Sequence, residues 1–353
     1  MLGKAAAREK TGENIPHKRE RNSIARRLSI AVVGGLLLAT TVAGCGGNGD
    51  DAGSGSGGGG DDKITLGFSQ VGAESGWRTA NTKSIQESAA AAGIDLKFSD
   101  AQGKQENQIK AIRSFITQRV DVIAFSPVVE SGWGTVLKEA KDAGIPVILT
   151  DRAIDDPDTS LYKSFIGSDF VEEGKKAGQW LVKEYEGKND PVNIVELQGT
   201  PGAAPANDRK AGFADVIKAE SKFKVVASQT GQFTRTDGKA VMETFLKSQP
   251  KIDVLYAHND DMGLGAIEAI EAAGKKPGKD IKIITVDAVK DGMTALSEGK
   301  INFIVECSPL LGPQLMDLVK KVNDGQTIPQ RVLTEETTFT PEKAKEVLAD
   351  RKY

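Results

Sequence analysis

"QENQIKAIRSFITQRVDVIAFSP", Gln105 to Pro127, decides the fold. Its first part sets Ile109, Ile112, Phe115 and Ile116 on one face at helical spacing, and its second part is a short, unbroken apolar run. A helix with one apolar stripe feeding a strand that is apolar on both faces is the unit of a parallel sheet covered by helices. The same unit returns outward in both directions. Apolar, β-branched runs stand at "KITLGFS", "IDLKFSD", "VDVIAFSP", "IPVILTD", "SFIGSD", "VNIVELQG", "FKVVASQ", "IDVLYAHND", "IKIITVD" and "INFIVECSP", with amphipathic stretches between them. Several of those helices are expected to stop at Gly93, Gly144 and Gly274. Ten strands are many for one domain, and "RVDVIAFSP" is echoed by "KIDVLYAHND", so two similar α/β lobes are expected.

Composition narrows the function. With 353 residues, 27% charged and a formal net charge of -3, nothing calls for a nucleic-acid partner. The only histidines are His17 and His258, and the only cysteines are Cys45 and Cys307. A histidine-rich metal site is therefore excluded, as is any catalytic triad that omits His258. No P-loop, H-E-x-x-H or G-x-S-x-G motif is present. The expectation is a binding protein without cofactor or metal, not an enzyme.

The N-terminus reads as an export signal. Lys18, Arg19, Arg21, Arg26 and Arg27 lead into the apolar stretch Leu28 to Val42, too short for a comfortable membrane span of roughly 20 residues. It ends in "VAGC", which resembles the lipobox of bacterial lipoproteins. That resemblance implies a signal peptide over 1–44, lipidation of Cys45 and attachment to the outer face of the cytoplasmic membrane. Residues 45–62 are then the lipidated cysteine and a tether of Gly, Ser and Asp.

The residues after the strands carry the chemistry. Glu74, Trp77 and Arg78 follow the first strand, Asp151 and Arg152 the fourth, Phe233 the seventh, Asn259 the eighth and Asp287 the ninth, while Glu306 ends the tenth. In an open α/β sheet the carboxyl ends of the strands border the ligand crevice, so these side chains converge if the two lobes face each other there. Carboxylates, guanidinium groups and an amide together can pair a ring of hydroxyls, and aromatic faces can cover the C–H face of a sugar. The collection suits a polyhydroxylated, uncharged ligand.

Across about Lys63 to Asn323 the sequence resembles the type I periplasmic sugar-binding proteins of ABC transporters, the ribose-binding family. The motifs "GFSQVGAESGWR", "KQENQIKAIRSF", "IVELQGT", "DRKAGF", "FTR", "YAHNDDM" and "PGKDI" look most like its galactofuranose binders. The resemblance implies two Rossmann-like, three-layer α/β/α lobes joined by three hinge strands and closing on a monosaccharide. The first lobe would take 63–168 and about 308–336, the second 169–307 and about 337–353. The resemblance makes Trp77, Arg78, Asp151 and Arg152 the first lobe's contacts, and Arg209, Phe233, Asn259 and Asp287 the second's. Ribose binders carry two neighbouring aromatics where this chain has Gly76 and Trp77, which argues against ribose. They also use a glutamine near the last crossover; of Glu306 and Cys307 at that place, Glu306 is the expected contact. The implied partners are an ABC permease and its ATPase, with the chain itself a monomer.

Other residues have plainer expectations. Trp133 and Trp180 belong to the core, His258 is a satisfied residue beside the cleft, and Asp260 caps the helix beginning "DMGLGAIEAI". The tail "EETTFTPEKAKEVLADRKY" reads as a final crossover and helix.

Overall fold

The computed structural model describes residues 63–353; the expected signal peptide, Cys45 and the tether lie outside them. The chain runs β1 (Thr65–Gln70), α1 (Gly76–Ala92), β2 (Asp95–Asp100), α2 (Gln105–Gln118), β3 (Val122–Phe125), α3 (Gly134–Asp142), β4 (Val147–Thr150) and β5 (Ser164–Gly167). It continues through α4 (Phe170–Glu184), β6 (Val192–Gln198), α5 (Ala204–Ile217), β7 (Phe223–Thr230), α6 (Arg235–Ser248), β8 (Val254–Ala257), α7 (Asp260–Ala272), β9 (Lys282–Asp287), α8 (Lys290–Ser297) and β10 (Phe303–Glu306). The last part holds α9 (Gly312–Asn323), β11 (Arg331–Leu333), β12 (Thr338–Phe339) and α10 (Pro341–Val347).

The strands form two sheets of six, ordered β11-β5-β4-β3-β1-β2 and β12-β10-β9-β8-β6-β7. Every pairing is parallel except that of β10 with β12. The two orders are the same pattern written twice, so the expected α/β fold of two similar lobes is met. Strand order reverses at β1 and β3 in one lobe and at β6 and β8 in the other, and both switch points open toward the cleft between the lobes.

The opening stretch folds as its pattern dictates. Ile112 and Phe115 are buried under α2, with Ile109 and Ile116 packed at the edge of the same cluster. The helix approaches the sheet closely because position 67 is glycine: a Cβ there would stand 2.5 Å from the Phe115 ring. Phe125 and Trp133 pack at 4.9 Å between ring centres, which puts Trp133 in the core as expected. Trp180 is half-buried, stacked on Phe303 at 5.2 Å. Gly93, Gly144 and Gly274 all adopt positive φ just past helix ends. Arg119 does the same after α2 without being glycine, at φ 54°.

The chain crosses between lobes three times: after β5, after β10 and between β11 and β12. After the second crossing α9 packs on α1, where the Gly312 N–H donates to Ser84 Oγ at 3.1 Å. One carboxylate oxygen ties the three crossings together. Glu336 Oε1 accepts from Ser168 Oγ at 2.5 Å, Ser308 N–H at 2.9 Å and Thr334 Oγ1 at 2.8 Å, and each donor belongs to a different crossing.

Candidate functional site

A cavity of about 290 Å³ lies between the lobes at the carboxyl ends of the strands. Nine of the ten site residues expected from the sequence line it: Glu74, Trp77, Arg78, Asp151 and Arg152 from the first lobe, and Arg209, Phe233, Asn259 and Asp287 from the second.

On the first lobe a buried ionic lattice fixes the guanidinium groups. Arg78 donates to Asp151 Oδ2 at 2.6 Å through one nitrogen and to Glu74 Oε1 at 3.1 Å through Nε. Arg152 reaches the same Glu74 oxygen at 3.3 Å and the Val128 carbonyl at 3.1 Å. Ser126 Oγ adds a bond to Asp151 Oδ2 at 3.0 Å. Burial pushes the Glu74 carboxyl up, but the charges of Arg78 and Arg152 outweigh it and hold the group below its ordinary value. Burial and the neighbouring Arg78 push Arg152 down to about 10.

On the second lobe Arg209 comes from α5, whose N-terminus points at the cavity with Pro205 on its wall. It bonds Glu173 Oε2 and the His258 carbonyl, both at 2.6 Å, and lies 3.9 Å from Asp287 Oδ1. Burial raises the Asp287 carboxyl well above the usual range, with Arg209 only partly opposing it. Asn259 accepts from Met262 N–H at 3.0 Å as the N-cap of α7 and donates to the Phe233 carbonyl at 3.1 Å. Its amide therefore holds the Phe233 loop in place while forming part of the wall.

Three arginines face three carboxylates around the cavity, so the lining is formally neutral. Three of its polar atoms are buried without a partner: Glu74 Oε2, Arg152 Nε and Asp287 Oδ2. An unpaired buried polar group costs about 1–3 kcal/mol. A ligand with hydroxyls distributed around a compact ring relieves that cost from both lobes at once. Asp151, Phe233 and Asp287 also hold positive φ, at 61°, 63° and 121°. Such strain in non-glycine residues gathers where side-chain placement matters more than backbone comfort.

The lobes touch around the cavity. Trp77 Nε1 donates to the Cys307 carbonyl at 2.7 Å, the Gly76 N–H donates to Asp261 Oδ2 at 2.7 Å, and Asn207 donates to Glu130 Oε2 at 2.5 Å. The Arg152 guanidinium of the first lobe stands 5.3 Å over the Phe233 ring of the second. Phe233 in turn packs on Gly199, where any Cβ would overlap the ring.

Two expectations are corrected. Glu306 does not line the cavity; its carboxylate accepts from Arg351 at 2.8 Å and Tyr353 Oη at 3.0 Å, because the C-terminal tail returns along that side of β10. Its neighbour Cys307 lines the cavity instead. Asp260 does not cap α7, since Asn259 takes that place; Asp260 is fully buried as the first helical residue, accepting from Thr285 Oγ1 at 2.5 Å and Val289 N–H at 2.8 Å. His258 is fully buried beside the cleft with Nε2 3.2 Å from Glu196 Oε1, but Nδ1 is buried without a partner, so the ring is satisfied on one side only; burial lowers its pKa. Ser75 and Pro205 also line the cavity, and neither carries a signal that sequence reasoning could weigh.

The model of the periplasmic binding protein domain matches residues 66–327. The galactofuranose-binding protein YtfQ of Escherichia coli (strain K12) is 51% identical over 293 residues, covering 82% of this chain and 92% of the relative. A crystal structure from Mycobacterium smegmatis in complex with β-D-fucofuranose is 65% identical, with a TM-score of 0.81 over 82% of this chain and 95% of that one. The periplasmic binding protein component of the arabinose ABC transporter from Shewanella sp. ANA-3, bound to α- and β-L-arabinofuranose, is 50% identical, with a TM-score of 0.79 over 82% and 95%. The expectation of a binder rather than an enzyme agrees with these relatives.

Proposed function

The chain belongs to the periplasmic binding protein domain family, and from that premise we propose that it is the extracytoplasmic receptor of an ABC importer for a furanose sugar, galactofuranose first among them. The observation that carries this reading is the set of unpartnered buried atoms, Glu74 Oε2, Arg152 Nε and Asp287 Oδ2, brought from two lobes into one neutral cavity. The furanose ligands named for the relatives support the ring form.

The sugar enters between separated lobes and is held first by the prearranged Arg78–Asp151–Arg152 lattice. Asp151 Oδ2 is already taken by Arg78 and Ser126, so its other oxygen addresses the ligand. Closure brings Asp287 and Phe233 onto the opposite side and completes the hydrogen bonds. Because only the closed form pairs all of these groups, the ligand shifts the population toward it. The closed faces then dock on a permease driven by its ATPase. Lipidation at Cys45 would hold the receptor at the outer face of the cytoplasmic membrane. Replacing Cys45→Ala is expected to release the protein from the detergent phase of a phase-partition assay.

The test is calorimetric titration of the purified protein with galactofuranose, fucofuranose, arabinofuranose, galactopyranose and ribose. Saturable binding near micromolar Kd, about -8 kcal/mol, is expected for galactofuranose, with the sugar recovered unchanged. Preference for a pyranose, or turnover of the sugar, would overturn the reading.

A further inference from the structure

Glu74 borders two cavities. The second, of about 660 Å³, lies at the mouth of the cleft and is walled by both lobes: Val71, Gly72, Gln102 and Val128 from the first, Thr200 and Gln232 from the second. The two Glu74 oxygens are used differently. Oε1 accepts from the arginines of the inner cavity, whereas Oε2 is buried and unpartnered. A Cβ on Gly72 would lie 3.4 Å from that Oε2 and 3.4 Å from Gly103 N, so Glu74 packs against the loop that separates the two cavities.

The outer chamber is built symmetrically. Gln102 and Gln232 come from opposite lobes, each two residues past a strand end, and each holds a left-handed backbone, at φ 53° and 54°. Each is pinned by the side chain two residues earlier: the Gln102 N–H donates to Asp100 Oδ1 at 2.8 Å, and the Gln232 N–H to Thr230 Oγ1 at 3.1 Å. A left-handed non-glycine residue costs roughly 1–2 kcal/mol, and the chain carries two of them at matched places on one rim. Apart from Glu74, amides, a threonine hydroxyl and two valines form an uncharged lining that can both donate and accept.

We propose that this chamber is a second sugar subsite, so that the ligand class includes furanosides carrying a further glycosyl or polyol residue. The furanose ring occupies the inner cavity and its substituent passes Glu74 into the chamber, where its hydroxyls meet Gln102, Thr200 and Gln232. The inference rests on the furanose reading of the inner cavity.

The experiment titrates the whole protein with galactofuranose and with a β-D-galactofuranosyl disaccharide, then repeats both with Thr200→Phe, which fills the chamber, and with Gln232→Ala. The disaccharide is expected to bind within about tenfold of the monosaccharide; Thr200→Phe is expected to weaken it by at least ~10-fold while moving monosaccharide affinity by less than ~2-fold. Gln232→Ala is expected to weaken the disaccharide alone, and it serves if the bulky variant fails to fold. Binding of the monosaccharide without the disaccharide overturns the subsite and leaves the furanose reading standing. Equal loss of both sugars in both variants also overturns it, and no binding of either sugar removes the furanose reading and the subsite together.

Discussion

Asp261 Oδ2 caps a helix that belongs to the other lobe. It accepts from the N–H of Gly76, the first residue of α1, at 2.7 Å, while Arg235 steadies its second oxygen at 3.3 Å. A carboxylate at a helix N-terminus is worth about 0.3–1 kcal/mol, and here that energy is available only when the lobes meet. Asp261→Ala is expected to weaken sugar affinity by about two- to fivefold without changing which sugar is preferred. Titration measures the affinity, and small-angle scattering of the unliganded protein should report a more open average shape. An unchanged affinity would remove the contact from the closure energetics.

The two cavity aspartates should fail differently. Asp287 makes only the 3.9 Å approach to Arg209, and one of its oxygens has no protein partner, so Asp287→Asn should cost binding, roughly 10-fold or more, with little loss of stability. Asp151→Ala also strips Arg78 of its 2.6 Å partner in a buried setting, so it should lose binding and about 3–5 kcal/mol of stability together. Parallel titration and thermal unfolding separate the two. Equal destabilisation by both would contradict the assignment.

Gly199 is needed for the packing of Phe233. A methyl group there would overlap the ring, and the ring is held from its other side by the Arg152 guanidinium. Gly199→Ala is expected to displace Phe233 and weaken sugar affinity, and to cost about 1–3 kcal/mol of stability, the usual range for overpacking. Retained affinity would mean that the ring relaxes away from the ligand.

Asp260 provides a pH test. Burial pushes its carboxyl up to about 7, with the charge of Asp261 adding to the shift. A folded-state pKa above the unfolded value near 3.9 means that the folded protein binds the extra proton. The stability from this group is then full below about pH 4 and is lost as pH rises through about 7. Asp260→Asn keeps the shape without the titration. It should flatten the fall in unfolding free energy between pH 4 and 7, and at pH 8 should match or exceed the parent. An unchanged slope in chemical denaturation across that range would rule Asp260 out as its source.

Eight of the ten longer strands were legible because each is a run of apolar residues covered on both faces, a pattern with few other meanings. The other two, β2 and β7, lie at the sheet edges, are half-buried or exposed along most of their length, and were legible from their β-branched and apolar residues between helical stretches. The two short strands were not. Arg331–Leu333 is largely exposed and Thr338–Phe339 is only two residues, so neither has enough buried length to leave a period. The site was readable for a topological reason: residues just past strand ends in a parallel sheet have one common edge to occupy. The choice between Glu306 and Cys307 was not readable, since adjacent residues at a strand end face opposite ways and the deciding partner, Arg351, lies 45 residues further on. Asn259 and Asp260 pose the same difficulty at a helix start, where either residue type caps and only backbone geometry assigns the cap. The charges paired inside the cavity belong to the same class, because Glu74, Arg78, Asp151 and Arg152 could equally have met as surface ion pairs.

The Glu336 carboxylate, bonded to all three inter-lobe crossings, limits how the molecule can move. Three separate strands could bend by different amounts and let one lobe roll or twist on the other. Joined at one oxygen, they are coupled: bending one crossing alone strains the hydrogen bonds to the other two. If the lobes close on a sugar as proposed, a surface built from both of them is presented or withdrawn as a unit, and occupancy becomes legible on the outside of the molecule without contact with the sugar.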